Sequence, residues 1–526
     1  MYLYNSVILL IISSVLYLYW YLKKTYSFFE QHGIPYIKPT FVFGNLTDVI
    51  LLRKSMAEAF ADLYKSLEPH KFAGIYAGTK PMIMIRDPEL LKDILIKDFA
   101  YFSDRGFNVD QTLEPLSYNL FLMKGDEWRN LRMKLTTTFT TGKMKMMFPL
   151  VQRCAEKFQK VIDNTPSHES IDIKDLAARY TTDVIGSCAF GLDTNSLENP
   201  DSEFRMMGKK LLQFRFRSLL RFLQLNIPAK LIKLFNITLV DVKYQNFFGE
   251  TVYKTIDYRE KNNVVRKDLL DLLIGLKSEK SSDLPKDATE QEDLQKFLDG
   301  VGGDKDGKNN LKITDELLAA QALLFFLAGF ETSSTNLCYV LFELSQNEHI
   351  QDKVRQEIND VISANDGQLN YDVLKQMTYV DMVIEESLRK YPPLSILSRR
   401  TSQNYKIRDS DVVIPAETSI IVSVYGIHSD EKYYDNPQEF RPERFTEEEK
   451  SKRPNFTYLP FGEGPRYCIG ARFAKLNVKM GLIYALRNFS YQVSPKMKFP
   501  IEFDKNFGLL APSNSVLIQR EKLNDY

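Results

Sequence analysis

The chain has 526 residues, 44% of them hydrophobic, and a formal net charge of +1. Length alone corresponds to about three or four ordinary domains, or one unusually large one. The balance of 69 basic against 68 acidic side chains excludes the strongly basic character of a nucleic-acid-binding chain.

The first stretch, MYLYNSVILLIISSVLYLYWYL, carries no charge before Lys23 and Lys24. It is close to the roughly 20 apolar residues that cross a bilayer as a helix. Tyr17, Tyr19, Trp20 and Tyr21 form an aromatic belt at one end. The lysines that follow orient the rest of the chain toward the cytosol. A cleaved signal peptide would need a basic start and a small-x-small cleavage site, and neither is present. Residues 1–22 are therefore expected to be a membrane anchor and 23–40 a hinge stiffened by Pro35 and Pro39. Residues 41–526 are expected to form the body. A cytosolic body keeps Cys154, Cys188, Cys338 and Cys468 reduced. It also makes the sequons at Asn45, Asn236, Asn455 and Asn488 uninformative.

Beyond the hinge, FAGIYAGTKPMIMIRDP alternates apolar positions around turn residues, which predicts a strand hairpin. Helical periodicity follows over 88–97, 126–137, 149–163, 173–189 and 205–222. Residues 277–310 are charged and glycine-bearing; they read as a solvated, mobile loop with one short helix around 290–298. A long apolar helix is predicted over 313–346, capped by Thr314. Another covers 371–391 and stops at Pro392 and Pro393, and strand-like pieces over 404–423 predict a second small sheet. The class is mainly α with a minor β region.

Residues 460–470 read PFGEGPRYCIG. Glycines and Pro465 impose a tight backbone path around Cys468, and a helical pattern begins directly after it. The sulfur would sit at a helix N-terminus with Arg466 close by, an environment that lowers a thiol's pKa. Disulfide partner, zinc ligand, nucleophile and ligand to a larger group are the four chemistries open to it. No C-x-x-C pair exists for zinc. A single strong axial ligand suits haem iron, and a buried structural cysteine is the bland alternative. The five histidines, His32, His70, His168, His349 and His428, are scattered and read as structural or exposed.

FGEGPRYCIG fits F-x-x-G-x-R-x-C-x-G and resembles the haem-binding loop of the cytochrome P450 superfamily. AGFETS (328–333), ESLR (386–389), PERF (442–445) and WRNLR (128–132) resemble further motifs of that family, in the right order. The resemblance covers essentially the whole chain. Residues 104–148 and the GIPY after the anchor are similar to insect microsomal members tied to detoxification. Against that insect pattern, Ser395 replaces a common proline and Ala471 a common methionine.

The resemblance implies the cytochrome P450 fold and a monooxygenase that inserts one oxygen atom from O₂ into a lipophilic substrate. Cys468 would be the axial ligand of haem b, in a loop that includes Phe461, Gly464 and Gly470. Trp128, Arg132, Arg399 and Arg466 would contact the haem propionates. Thr332 and Glu331 would deliver protons to bound dioxygen, with Gly329 letting the helix open locally. Glu386, Arg389 and Arg444 would form a network supporting the haem loop. Phe107, Leu122, Phe325, Phe326, Ala328, Leu394, Leu397 and Phe507 would line the substrate pocket. Electrons would come from NADPH through a separate reductase, with cytochrome b5 as a further partner, docking near Arg472 and Lys475. The anchor would lie in the endoplasmic reticulum membrane. Two rivals are a haem-thiolate isomerase or dehydratase that needs no external electrons, and a non-enzymatic haem-binding membrane protein.

Overall fold

The computed structural model describes residues 2–212, 229–278, 311–506 and 508–523. Helix α1 (Tyr2–Tyr26) has almost all its side chains exposed until Leu22, which is buried against the body. Nothing in Leu22-Lys23-Lys24 breaks a helix, so α1 runs past the expected end of the anchor. A short helix at Phe28–Gln31 follows. The Tyr26 and Phe29 rings both pack edge-on against Tyr76, at 5.0 and 4.8 Å. The segment expected to be a hinge is thus helical and anchored up to Gln31; only the stretch around Pro35 and Pro39 is irregular.

Strands β1 (Phe72–Ala77) and β2 (Lys80–Ile85) form the expected hairpin. Two more strands extend that sheet. These are β3 (Ile396–Arg400) and β4 (Ser419–Ser423); β4 lies parallel to β2 and antiparallel to β3. All five residues of β4 are buried, which draws it into the first sheet rather than a second one. Of the 404–423 stretch, only Tyr405–Lys406 and Val413–Ile414 pair by themselves. Antiparallel strands at Phe489–Val493 and Leu517–Lys522, joined by Ile171–Asp172, make a third small sheet. The sheet around β1 to β4 has its own apolar core, and a larger core surrounds the helices.

The helices that frame the interior are α2 (Gly125–Thr136), α3 (Ile173–Ile185), α4 (Asp315–Gln346), α5 (Thr378–Lys390) and α6 (Ala471–Leu486). Thr314 caps α4 as expected: its hydroxyl accepts from the Leu317 amide at 3.2 Å. α4 is long and apolar enough to cross a membrane, yet most of it is buried in the body. It is helical throughout, so the local opening expected at Gly329 is not there. A Cβ on Gly329 would come within 2.4 Å of Ile185 Cδ1; the glycine lets α3 and α4 approach closely.

The helix expected over 371–391 is two, Tyr371–Leu374 and α5. The Glu357 carboxylate takes the amides of Tyr379 and Val380, each at 2.8 Å, and so starts the second helix afresh. The helix expected over 149–163 begins earlier, at Thr141, and carries Pro149 within it. The 205–222 prediction is met by a helix at Glu203–Leu212, its remainder lying outside the described residues. Nearly all of the expected 277–310 loop, with its 290–298 helix, also lies outside them.

Candidate functional site

The loop before α6 depends on glycine at two points. Gly462 and Gly464 both have φ of +73°, a region that side chains disfavour. A Cβ on Gly464 would lie 1.9 Å from the Leu95 carbonyl oxygen, so no other residue fits there. The Cys468 amide donates to the Phe461 carbonyl at 3.0 Å, closing the turn, and Gly470 caps α6. Cys468 is deep in the protein, and its exposed surface faces an internal cavity of about 450 Å³. Phe461, Gly470 and Ile469 share that wall. A backbone hydrogen bond from Gly470 and the charges of Arg132 and Arg105 pull the thiol pKa down, but burial outweighs them and raises it. The expected net lowering is therefore absent from the protein alone.

Arg466 lines the same cavity, with its guanidinium engaged by backbone carbonyls. Its guanidinium donates to the carbonyls of Ser103 (2.9 Å), Leu120 (3.2 Å) and Met123 (2.8 Å). It also stacks over the Trp128 ring at 3.8 Å from the centroid. It ties the 103–123 segment to the cysteine loop.

Arg132 on α2 and Arg399 on β3 face the cavity in a different state. The Arg132 guanidinium makes no hydrogen bond or ion pair among the described residues, and its Nε is buried. Arg399 gives one bond, to the Ser398 carbonyl at 2.8 Å, and its buried Nε has no partner. Arg105, which sequence reasoning missed, reaches the same cavity and sits over the Phe121 ring at 4.2 Å. Burial holds all three guanidiniums below their ordinary pKa, and for Arg105 the nearby Arg399 and Arg132 add to the effect. Such a cluster is costly without an anion. A planar, apolar ligand with carboxylates at one edge and a metal to receive the sulfur fits this donor set; haem has that chemistry. Register also separates Arg399 from its neighbour: Arg400 points outward and pairs with Glu417 at 2.5 Å.

α4 contributes Phe325, Ala328 and Thr332 to the cavity. The Thr332 hydroxyl donates back to the Ala328 carbonyl, as mid-helix threonines do. Ser334 does the same toward Glu331, at 3.0 Å. Glu331 is not among the lining residues. Burial raises its pKa, opposed by the charges of Lys174, Lys209 and Arg205. Phe326 is not lining either. It is fully buried in an aromatic cluster with Phe190, Phe204, Phe248 and Phe330, because the helix turn at 326 faces the core. Phe107, Leu122, Leu394 and Leu397 line the cavity, and Phe507 lies outside the described residues, where its neighbours Gly508 and Leu509 are lining. Asn336, one turn beyond Thr332, also lines it with a buried, unpartnered Oδ1. A polar residue on the Thr332 face of an apolar helix was the available signal for it.

Below the cavity, Glu386 is fully buried between two arginines. Arg389 binds it through Nε at 2.7 Å and Nη2 at 2.8 Å, and Arg444 Nε lies 3.3 Å away. Arg444 also reaches Asp435 at 2.8 Å and the Asn436 carbonyl at 3.0 Å. Lys475, expected at a docking face, is engaged by Glu385 at 2.8 Å.

A family model described as Cytochrome P450 matches residues 34–520. The chain is 37% identical to Cytochrome P450 6k1 of Blattella germanica, over 95% of this chain and 93% of the relative. It is 37% identical to Probable cytochrome P450 6a23 of Drosophila melanogaster, over 99% of both chains. A third relative, Probable cytochrome P450 6a14 of Drosophila melanogaster, is 38% identical over 95% of this chain and 96% of its own.

Proposed function

The chain belongs to the cytochrome P450 family, and from that premise we propose that its cavity oxidises a lipophilic substrate beside a haem held by Cys468. The enzyme is a haem-thiolate monooxygenase. The observation that supports the site is the convergence of one thiol and the guanidiniums of Arg132 and Arg399, each with an unpartnered Nε, on a single, mostly apolar cavity. Bound haem supplies the redox-active iron at which oxygen is reduced.

The chain's own residues have separate tasks in this reading. Cys468 gives its thiolate, favoured by the Gly470 amide and the charges of Arg132 and Arg105. Arg105, Arg132 and Arg399 bind the propionates, where guanidinium geometry suits carboxylates. Trp128 closes that edge, its ring held by the Arg466 guanidinium stacked over it. The Thr332 oxygen faces the cavity as an acceptor while its hydrogen is given to Ala328. Rotation away from that carbonyl makes the hydroxyl a donor. Glu331, with its pKa raised, is the adjacent proton reserve. The apolar walls select lipophilic substrates, such as plant toxins, insecticides or endogenous lipids. Electrons come from NADPH through a separate flavoprotein reductase, with cytochrome b5 as a second donor. α1 anchors the body to the endoplasmic reticulum membrane, with Lys23 and Lys24 on the cytosolic side.

The reduced carbon-monoxide complex tests the ligand assignment. A thiolate-type Soret band is expected, and its absence from freshly prepared holoprotein would sink the reading. Thr332→Ala should retain that band while productive turnover falls about 100-fold or more, with NADPH still consumed. Unchanged coupling of NADPH to product would remove Thr332 from proton delivery.

A further inference from the structure

His428 is not among the residues lining the cavity and ends the short helix Val424–His428 that follows β4. It is fully buried. Its Nδ1 is 3.0 Å from the Arg389 carbonyl oxygen, and its Nε2 is 2.8 Å from the Leu459 amide nitrogen. A carbonyl only accepts and an amide N–H only donates. The ring must therefore carry its hydrogen on Nδ1 and a lone pair on Nε2. Burial and the Arg389 charge oppose a second proton and push the ring's pKa down to about 3.

The two bonds connect the Glu386 network to the start of the cysteine loop. On one side, Arg389 is gripped by Glu386, and its Nη1 returns a bond to the His428 carbonyl at 3.0 Å. Histidine and arginine thus clasp each other through side chain and backbone in both directions. On the other side, Leu459 opens the cysteine loop. Its carbonyl accepts from the Gly462 amide at 3.0 Å, and the Phe461 carbonyl then accepts from the Cys468 amide at 3.0 Å. Arg389 and Arg444 make no hydrogen bond of their own to residues 459–468; their other bonds go to Asp435, Asn436 and Glu439. The imidazole is thus the hydrogen-bonded link between Arg389 and Leu459. Tyr458 steadies the ring by stacking at 5.5 Å and 20°, while its hydroxyl donates to the Glu385 carbonyl at 3.0 Å.

We infer that His428 is a positioning residue for the cysteine loop: in its Nδ1–H tautomer it links the Arg389 carbonyl to the Leu459 amide and so fixes how Cys468 presents its sulfur to the cavity. This rests on Cys468 being the haem ligand. Imidazole suits the task because its donor and acceptor are held rigidly on opposite sides of one ring. An imidazolium would lose the acceptor for Leu459 and set a second cation beside Arg389.

Two substitutions separate the bonds in the holoprotein. His428→Gln can place a carbonyl oxygen where Nε2 accepts from Leu459, whereas His428→Asn can donate to the Arg389 carbonyl but falls short of Leu459. His428→Gln is expected to keep the thiolate-type Soret band of the reduced carbon-monoxide complex. His428→Asn is expected to convert to the non-thiolate form several-fold faster, with haem content and thermal unfolding of the helical signal close to those of the parent. Equal lifetimes for His428→Asn and the parent, or equal loss in both variants, would overturn the inference. Should neither variant fold, nitrogen-15 spectra of the histidine-labelled parent holoprotein decide. Nδ1 must be protonated, Nε2 must be bare, and the ring must not titrate where free imidazole does. A hydrogen on Nε2 refutes the link. A parent protein without the thiolate band would instead refute the ligand assignment and leave the tautomer result standing.

Discussion

Two sets of buried arginines stand in contrast. Arg389 and Arg444 share the Glu386 carboxylate and spend their remaining donors on Asp435 and backbone carbonyls. Arg132 and Arg399 meet no carboxylate among the described residues and keep unpartnered nitrogens against the cavity. Arg399 is as buried as Arg389 and Arg444, at 0–2% exposure, while Arg132 is half-buried, so burial alone does not separate Arg399 from the first set. Satisfaction does. A cation whose every nitrogen is bonded holds a fold together, and a buried cation with an unbonded nitrogen is prepared for a ligand.

The largest effect is expected where that satisfaction is removed. Glu386→Gln leaves two buried guanidiniums facing a neutral amide. Breaking a buried ion pair this way costs about 3–5 kcal/mol, so equilibrium unfolding should show a marginal or unfolded protein with or without haem. A loss below about 1 kcal/mol, the range of exposed pairs, would mean that pairing is not what distinguishes this set.

The second set should respond in the opposite manner. Arg399→Leu or Arg132→Leu removes a charge that nothing in the chain neutralises. Without haem, stability should be unchanged or higher, since leucine carries no desolvation cost. Haem should be held about 10- to 100-fold less tightly, the worth of one charge-assisted hydrogen bond, as read from haem transfer to an acceptor apoprotein. Reduced stability of the haem-free protein in either variant would place that arginine with the structural set.

How far this contrast was legible in the sequence differs by element. The W-x-x-x-R, E-x-x-R and cysteine-loop spacings marked Trp128, Arg132, Glu386, Arg389 and Cys468, because each lies within one helix turn or one short loop. The long helix over 313–346 was readable from its apolar run and the Thr314 cap. What was not readable depends on contacts between distant segments. Arg105 enters the cavity because the 103–123 loop is tied down by Arg466, more than 340 residues later. β4 joins the first sheet because its neighbours are β2 and β3, which no local pattern in 404–423 encodes. Phe326 and Phe325 are adjacent on α4, yet one packs in the core and the other lines the cavity, a matter of helix rotation against α3. The bond from His428 to Leu459 spans 31 residues and needs the ring's tautomer to be seen at all.

The smallest expected effect sharpens the contrast by adjacency. Arg400 follows Arg399 directly, and adjacency in sequence does not say which of them faces the cavity. Successive side chains of a strand point to opposite faces, and β3 sends Arg400 outward, where Glu417 and the Glu417 carbonyl receive it at 2.5 and 3.3 Å. Glu417 is largely exposed, so water screens the pair, and such contacts contribute about 0–1 kcal/mol. Arg400→Ala should therefore shift the unfolding midpoint little and leave haem retention unchanged, in the same assays that expose Arg399→Leu. The neighbouring substitutions differ in side-chain direction while sharing strand, charge and residue type. A haem-affinity loss in Arg400→Ala comparable to that in Arg399→Leu would mean that net positive charge near the cavity, and not a donor aimed into it, is what holds the cofactor.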